Sequence, residues 1–248
     1  MTTGSPAPRA HDAASERLSA LLERAATGAD GRAWSELWTE LYHNGTLDVA
    51  HPLVLRTLAG MARSDEAGVA APALHLAGAL LVQADQRHET RDLRHRYAPE
   101  VACLLDAANR WRQVTAERSD YCYLLEAVLD LEGDIHWAED LTGGLAAGEY
   151  EIECPDPDGC ASLWVVLGAR GFFSAAEDYA LSDDVETFPL HPADPRDLEG
   201  LGRRLHELAL ADGQPDVARA LTHVFGEATC PECEQRFSVI GQVIARAG

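Results

Sequence analysis

Glu149-Tyr150-Glu151-Ile152-Glu153-Cys154-Pro155-Asp156-Pro157-Asp158-Gly159-Cys160 is where the chain changes character. Residues 149–153 alternate acidic and apolar with period two, the pattern of a half-buried strand. Leu163-Trp164-Val165-Val166-Leu167 follows as a short β-rich run. Two prolines and a glycine lie between them. The stretch therefore predicts a β-hairpin whose tip carries two cysteines. Gly171-Phe172-Phe173 offers one more strand, and residues 174–193 read as acidic and irregular.

Upstream of that point the period is helical. Leu18, Leu21, Leu22 and Ala25 keep one face of a first helix, which Gly28 ends. Trp34, Leu37, Trp38, Leu41 and Tyr42 stand at i, i+3, i+4, i+7 and i+8, an amphipathic helix stopped by Asn44-Gly45. A third helix takes Pro52 into its first turn and carries Leu55, Leu58 and Met61. The fourth, from about Ala71 to Ala84, is apolar nearly all round and so central. Residues 88–118 continue as helix with an interruption near Pro99. Ser119 caps the next, with Leu124, Leu125, Val128 and Leu131 inward and Gly133 at its end. A short helix from Asp134 or Ile135 stops at Gly143-Gly144.

Downstream, Asp194-Pro195 reads as a cap followed by proline at the first helical position. Leu198, Leu201, Leu205 and Leu208 line the helix it would start. Pro215 to Phe225 form another, closed by Gly226. Cys230-Pro231-Glu232-Cys233 comes next, then a short strand or turn and a last helix from about Val239. The fold class is mostly α. Helix pairs recurring at roughly 40 residues suggest a HEAT-like αα-hairpin solenoid, with an irregular helical bundle as the alternative. Either would carry a small zinc-binding β-hairpin insert. The expected organisation is a disordered N-terminus (1–10), a helical-repeat region (11–147), an acidic β-insert with the first cysteine pair (148–193), and C-terminal helices with the second pair (194–248).

The cysteines point to chemistry. Cys230-x-x-Cys233 after a helix end has the spacing with which one turn presents two sulfurs to a tetrahedral metal. Its partner is Cys154 with Cys160, a wider pair that shares the Cys-Pro start. The expectation is a split four-cysteine zinc ribbon; the alternative is two unliganded or disulfide-linked pairs. Four thiolates leave no open coordination position, so the zinc would be structural. Cys103 and Cys122 sit among leucines and alanines as small buried residues.

Charge is unevenly spread. The 248 residues hold 41 acids against 20 bases, a net −21, and every base is arginine. Residues 119–195 hold 18 acids and one arginine, Arg170, for a net −17. The segments on either side are nearly neutral, at −2 each. Such acidity argues against a nucleic-acid phosphate backbone as ligand. The absence of lysine excludes Schiff-base and P-loop lysine chemistry. No apolar run approaches the roughly 20 residues of a membrane span, and residues 1–14 hold no apolar leader segment. These readings place the protein in the cytoplasm, with no membrane partner.

The candidate partner surfaces are two. Arg87, His88, Arg91, Arg94, His95 and Arg96 form the basic cluster, extended by Arg110, Arg112 and Arg118, with Trp111 between two of these arginines. It is either a solvated face or a site for an anion or acidic partner. Asp156, Asp158, Asp183 and Asp184 represent the acidic face, which would steer a basic protein. Glu40-x-x-His43 has di-iron spacing, with Asp92 to His95 a loose second copy and Glu126 or Asp130 as further carboxylates, against the simpler reading of a helix-end histidine. His136 and His191 have no evident partners. No phosphate loop, nucleophile elbow or Cys–His dyad is present as a motif.

The run from Trp34 through Leu37-Trp38, Leu41, His43 and Gly45-Thr46 resembles a set of uncharacterised actinobacterial HEAT-like proteins. So do Tyr150 to Cys154, Gly171-Phe172-Phe173, Pro192-Ala193-Asp194 and Phe225-Gly226 through Cys233. The resemblance implies an α-solenoid with an inserted zinc-ribbon element and no reaction. The first cysteine pair departs from the usual Cys-Pro-x-Cys by three extra residues. The expected function is a non-catalytic protein-interaction scaffold, as an immunity or regulatory partner. The alternatives are an acidic nucleic-acid mimic bound to a DNA-binding protein, and an enzyme with a metal site in a helical pocket.

Overall fold

The structure, a computed structural model, describes residues 10–28, 31–43, 52–86, 93–133, 137–156, 160–176 and 185–247. It divides into two compact units. One comprises residues 1–111 and 127–134, the other 112–126 and 135–248. The chain is mostly helical with two small antiparallel sheets.

The first unit is built from helices. α1 (Ala10–Ala26) turns Leu18, Leu21, Leu22 and Ala25 inward, and Gly28 at φ 67° ends it. α2 (Gly31–Trp38) passes into a single π turn, Thr39–His43, and together they bury Trp34, Leu37 and Leu41. Asn44-Gly45 lies outside the described residues. α3 (Pro52–Met61) buries Leu55, Leu58 and Met61. α4 (Ala67–Gln86) receives α3 and the π turn, and Leu74, Leu76, Leu80 and Leu81 are fully buried along it. Burial of each such side chain stabilises by about 1.5–3 kcal/mol.

α4 corrects two expectations. It starts at Ala67 rather than Ala71, and burial of Val69 and Ala70 carries its first turns past Pro72. At 20 residues, with a mean hydropathy of 1.5 in its most apolar window, it is also long and apolar enough to cross a membrane. A core helix that is apolar all round has the same composition. Here ten of its residues, Val69 to Ala84, are buried. α5 (Leu93–Arg96) and α6 (Ala98–Arg112) follow. The break between them falls at Tyr97; Pro99 occupies the first turn of α6, where its missing N–H removes no helix bond. α7 (Arg118–Glu132) buries Leu124, Leu125, Val128 and Leu131, and Gly133 at φ 79° ends it. Ser119 lies inside its first turn rather than at its cap.

The second unit takes the first half of α7 and then α8 (Ala138–Ala147). α8 runs through Gly143-Gly144, which were expected to stop it, and ends at Gly148 (φ 80°), whose N–H bonds the Gly144 carbonyl. Gly144 has a packing reason. A Cβ there would lie 2.0 Å from the ring of Tyr150, whose hydroxyl donates to the Leu141 carbonyl at 2.6 Å.

The expected hairpin is part of a larger sheet. β1 (Glu149–Ile152), β2 (Leu163–Gly168), β3 (Gly171–Ala175) and β4 (Thr187–Pro189) form an antiparallel meander in that order. Tyr150 pairs with Val165 and Ile152 with Leu163, so Cys154 and Cys160 stand just beyond the end of the first hairpin. β4 is three residues long and lies in the stretch read as irregular; so short a strand has no period to read. α9 (Gly200–Ala211) and α10 (Pro215–Val224) pack together, and α10 also packs on β2. Asp194-Pro195 does not start α9. Instead the Asp194 carboxylate accepts the Arg196 backbone N–H at 2.9 Å, an Asx turn that keeps the chain non-helical. β5 (Glu227–Thr229) and β6 (Arg236–Ser238) make the second sheet, and Ser238 caps α11 (Val239–Arg246) by accepting the Gly241 N–H.

Candidate metal centre

Two hairpins of the second unit bring the four cysteines together. In the β5–β6 hairpin the last pair is Thr229 with Arg236. Beyond it the Cys230 N–H donates to the Gln235 carbonyl and the Glu234 N–H to the Cys230 carbonyl, both at 2.9 Å. Glu234 takes φ 59°, the left-handed conformation that closes so tight a turn. In the β1–β2 hairpin the Asp156 N–H donates to the Cys154 sulfur at 3.4 Å. The loops are joined where the Ala161 N–H donates to Glu232 Oε2 at 3.2 Å.

The scaffold beneath them is continuous. His191 exchanges two backbone hydrogen bonds with Glu227, each 2.9 Å. Ser174 Oγ on β3 donates to the Thr229 carbonyl at 2.6 Å. Gly226 is required there, because a Cβ would lie 2.2 Å from the His191 carbonyl oxygen. His191 does have a side-chain partner, contrary to its sequence reading: Nε2 lies 2.9 Å from the Arg236 guanidinium.

The result is a cluster in which the sulfurs of Cys154, Cys160, Cys230 and Cys233 all lie within 4.8 Å of one another. Cys154 and Cys233 are 3.6 Å apart. Four sulfurs about 2.3 Å from one tetrahedral ion stand about 3.8 Å apart, so the set fits a metal. A disulfide needs about 2.05 Å, and all six cysteines are free thiols. Among the described residues this is the one group of three or more metal-ligating side chains.

The thiols are not equivalent. Burial pushes Cys154 up to about 11, against the Asp156 N–H that favours its thiolate. Cys160 is also raised, by burial and by its neighbouring thiols. At Cys230 burial acts upward but is outweighed. The backbone N–H groups of Cys233 and Glu232, with the thiols of Cys154 and Cys233, hold it below its ordinary value. A metal bound by the four sulfurs would displace their protons. Glu232 was overlooked as a sequence candidate, although it stands between the two cysteines of the second pair.

The other candidates fare differently. Arg87, Arg91, Asp158, Asp183 and Asp184 lie outside the described residues, as do His136 and the His43 side chain. Asp156 is half-buried beside Cys154. Arg110 is exposed on α6, and Trp111 is half-buried. Arg94 and Arg112 are used inside the protein. Arg94 pairs with Asp85 at 2.7 Å and donates to the Asp130 and Leu131 carbonyls at the end of α7. Arg112 is buried in an ion pair with Asp212, which also accepts the Tyr121 hydroxyl at 2.8 Å. Glu40 pairs with Arg17, and Glu126 accepts the Thr142 hydroxyl at 2.6 Å. Cys122 is buried and its thiol pushed up to about 12, while Cys103 lies against the Ala59 carbonyl at 3.7 Å. In comparisons with known proteins, no family model, no curated protein and no solved structure matches the chain.

Proposed function

We propose that the chain is a non-catalytic protein-interaction scaffold, acting as an immunity or regulatory partner, whose second unit is tied together by structural zinc. The observation that carries the metal half is the gathering of four cysteine sulfurs from two hairpins within 4.8 Å. Four thiolates suit zinc and complete its tetrahedron, leaving no position for a substrate. Six free thiols suit a reducing compartment, and the cytoplasm is the proposed location.

The interaction half rests on charge and composition. The net −17 of residues 119–195 gives that stretch one sign and favours a basic protein partner. The HEAT-like resemblance supports helical pairing as a display surface. The test has two arms. Metal analysis of the purified protein is expected to find one zinc per chain, and its absence removes the zinc reading. Affinity capture at low and high salt, with partners identified by mass spectrometry, is expected to retain a basic protein at low salt alone. A partner held equally at both salts, or none, removes the steering reading.

A further inference from the structure

The cysteine cluster is graded in exposure. Cys233 is exposed, Cys154 and Cys160 are half-buried, and Cys230 is buried. A small oxidant therefore meets Cys233 first. Cys154 lies 3.6 Å from it, on the other hairpin and 79 residues away in sequence. Closing a disulfide from there needs about 1.5 Å of sulfur movement. Cys230 is buried, so an oxidant reaches it last. The Ala161 to Glu232 hydrogen bond keeps the two loops together, so the pair needs no chain ordering to meet.

We propose that Cys154 and Cys233 are a hydroperoxide-reactive pair that closes a disulfide across the two hairpins and expels the metal. The Cys233 thiol gives up its proton and attacks the peroxide. An S–O bond forms, the O–O bond breaks, and hydroxide leaves with that proton as water. The Cys154 thiol then gives up its proton and attacks the Cys233 sulfur. The S–S bond forms, the S–O bond breaks, and a second hydroxide leaves with that proton as water. Two thiols have lost two electrons and two protons, and the peroxide has gained them. With two of its four ligands gone, the metal site is dismantled.

The metal-release step rests on the zinc reading; the disulfide does not. The experiment keeps them apart. Purified full-length protein is assayed for metal, treated with hydrogen peroxide beside a chromogenic chelator, and mapped by mass spectrometry without reduction. The expected result is a Cys154–Cys233 linkage, one zinc released per disulfide, and reversal by dithiothreitol with added zinc. Cys122→Ser is expected to behave as the parent, and Cys154→Ser to accumulate sulfinic acid at Cys233. A Cys230–Cys233 or Cys154–Cys160 linkage overturns the proposal, as does sulfinic acid at Cys233 in the parent. Protein without metal that still links Cys154 to Cys233 refutes the zinc reading alone.

Discussion

Each of the two units is held together internally by different means. In the first, α4 buries Leu74, Leu76, Leu80 and Leu81 among its neighbours. Its surface ion pairs, Arg24–Glu36 and Arg56–Glu100, leave the arginines 45% and 65% exposed, and such pairs contribute at most about 1 kcal/mol. In the second, the decisive elements are short. β5 and β6 have three residues each, and an isolated two-stranded hairpin is marginal in water. The cysteine cluster joins the end of this short hairpin to the end of the β1–β2 hairpin of the four-stranded sheet. Long helices bury enough apolar surface to need no cross-link, whereas short strands leave the loops to be joined by other chemistry.

Metal removal should separate the units most sharply. Chelation or Cys230→Ser is expected to strip hydrogen-exchange protection from β1, β2, β5 and β6 and leave α1 to α4 protected. Equal loss in both units would mean that they stand or fall together. Next comes Leu80→Ala, which opens a cavity in α4 and should lower stability by about 2–5 kcal/mol in denaturant titration. Metal binding at the cysteine cluster should not change; a parallel loss of it would erase the contrast.

A smaller effect is confined to α8. Gly144→Ala drives a methyl into the Tyr150 ring and should cost about 1–3 kcal/mol. Neighbouring Gly143→Ala meets nothing within 4 Å and should be neutral or stabilise by up to about 1 kcal/mol. Gly144→Ala should therefore lower the melting temperature while Gly143→Ala leaves it unchanged or raises it, and an equal fall in both would refute the packing account.

The smallest effect is a pH dependence of the second unit. Burial first, and then the Arg219 charge, lower the pKa of His223 below its ordinary 6.5. His223 Nδ1 is buried without a hydrogen-bond partner, and its ring stacks on Phe172 at 4.0 Å. The unfolded chain takes up this proton more readily than the folded one. The contribution is thus present above pH 6.5 and lost as pH falls below it. Stability measured between pH 7 and pH 5 should show a slope that His223→Gln flattens; an unchanged slope would assign it to other groups.

Much of this was legible from residue order. Leu18, Leu21, Leu22 and Ala25 announce a buried face by spacing alone, and the shared Cys-Pro start paired the two cysteine sets. What escaped reading depends on contacts distant in sequence. Gly143 and Gly144 look alike as helix stops, yet only Gly144 meets Tyr150. Asp194 looks like a helix cap, yet its carboxylate is taken by Arg196 two residues on. Arg94 reads as one of a basic run, but its planar fork spans two carbonyls at the end of α7 beside left-handed Gly133. Arg118 bridges two elements in the same way, donating to the Leu145 carbonyl at the end of α8 and the Leu167 carbonyl on β2. A chain without lysine thus uses arginine for work that only a bidentate donor can do.

The separation of the two cysteine pairs has a consequence in time. Cys154 and Cys233 are 79 residues apart. At synthesis rates of about 5–20 residues per second, the ribosome delivers the later ligand about 4–16 s after the earlier one. Through that interval the first hairpin carries half of the cysteine cluster with nothing to complete it. A nascent chain stalled between the pairs would offer two unmatched thiols to any passing chaperone, metal or oxidant.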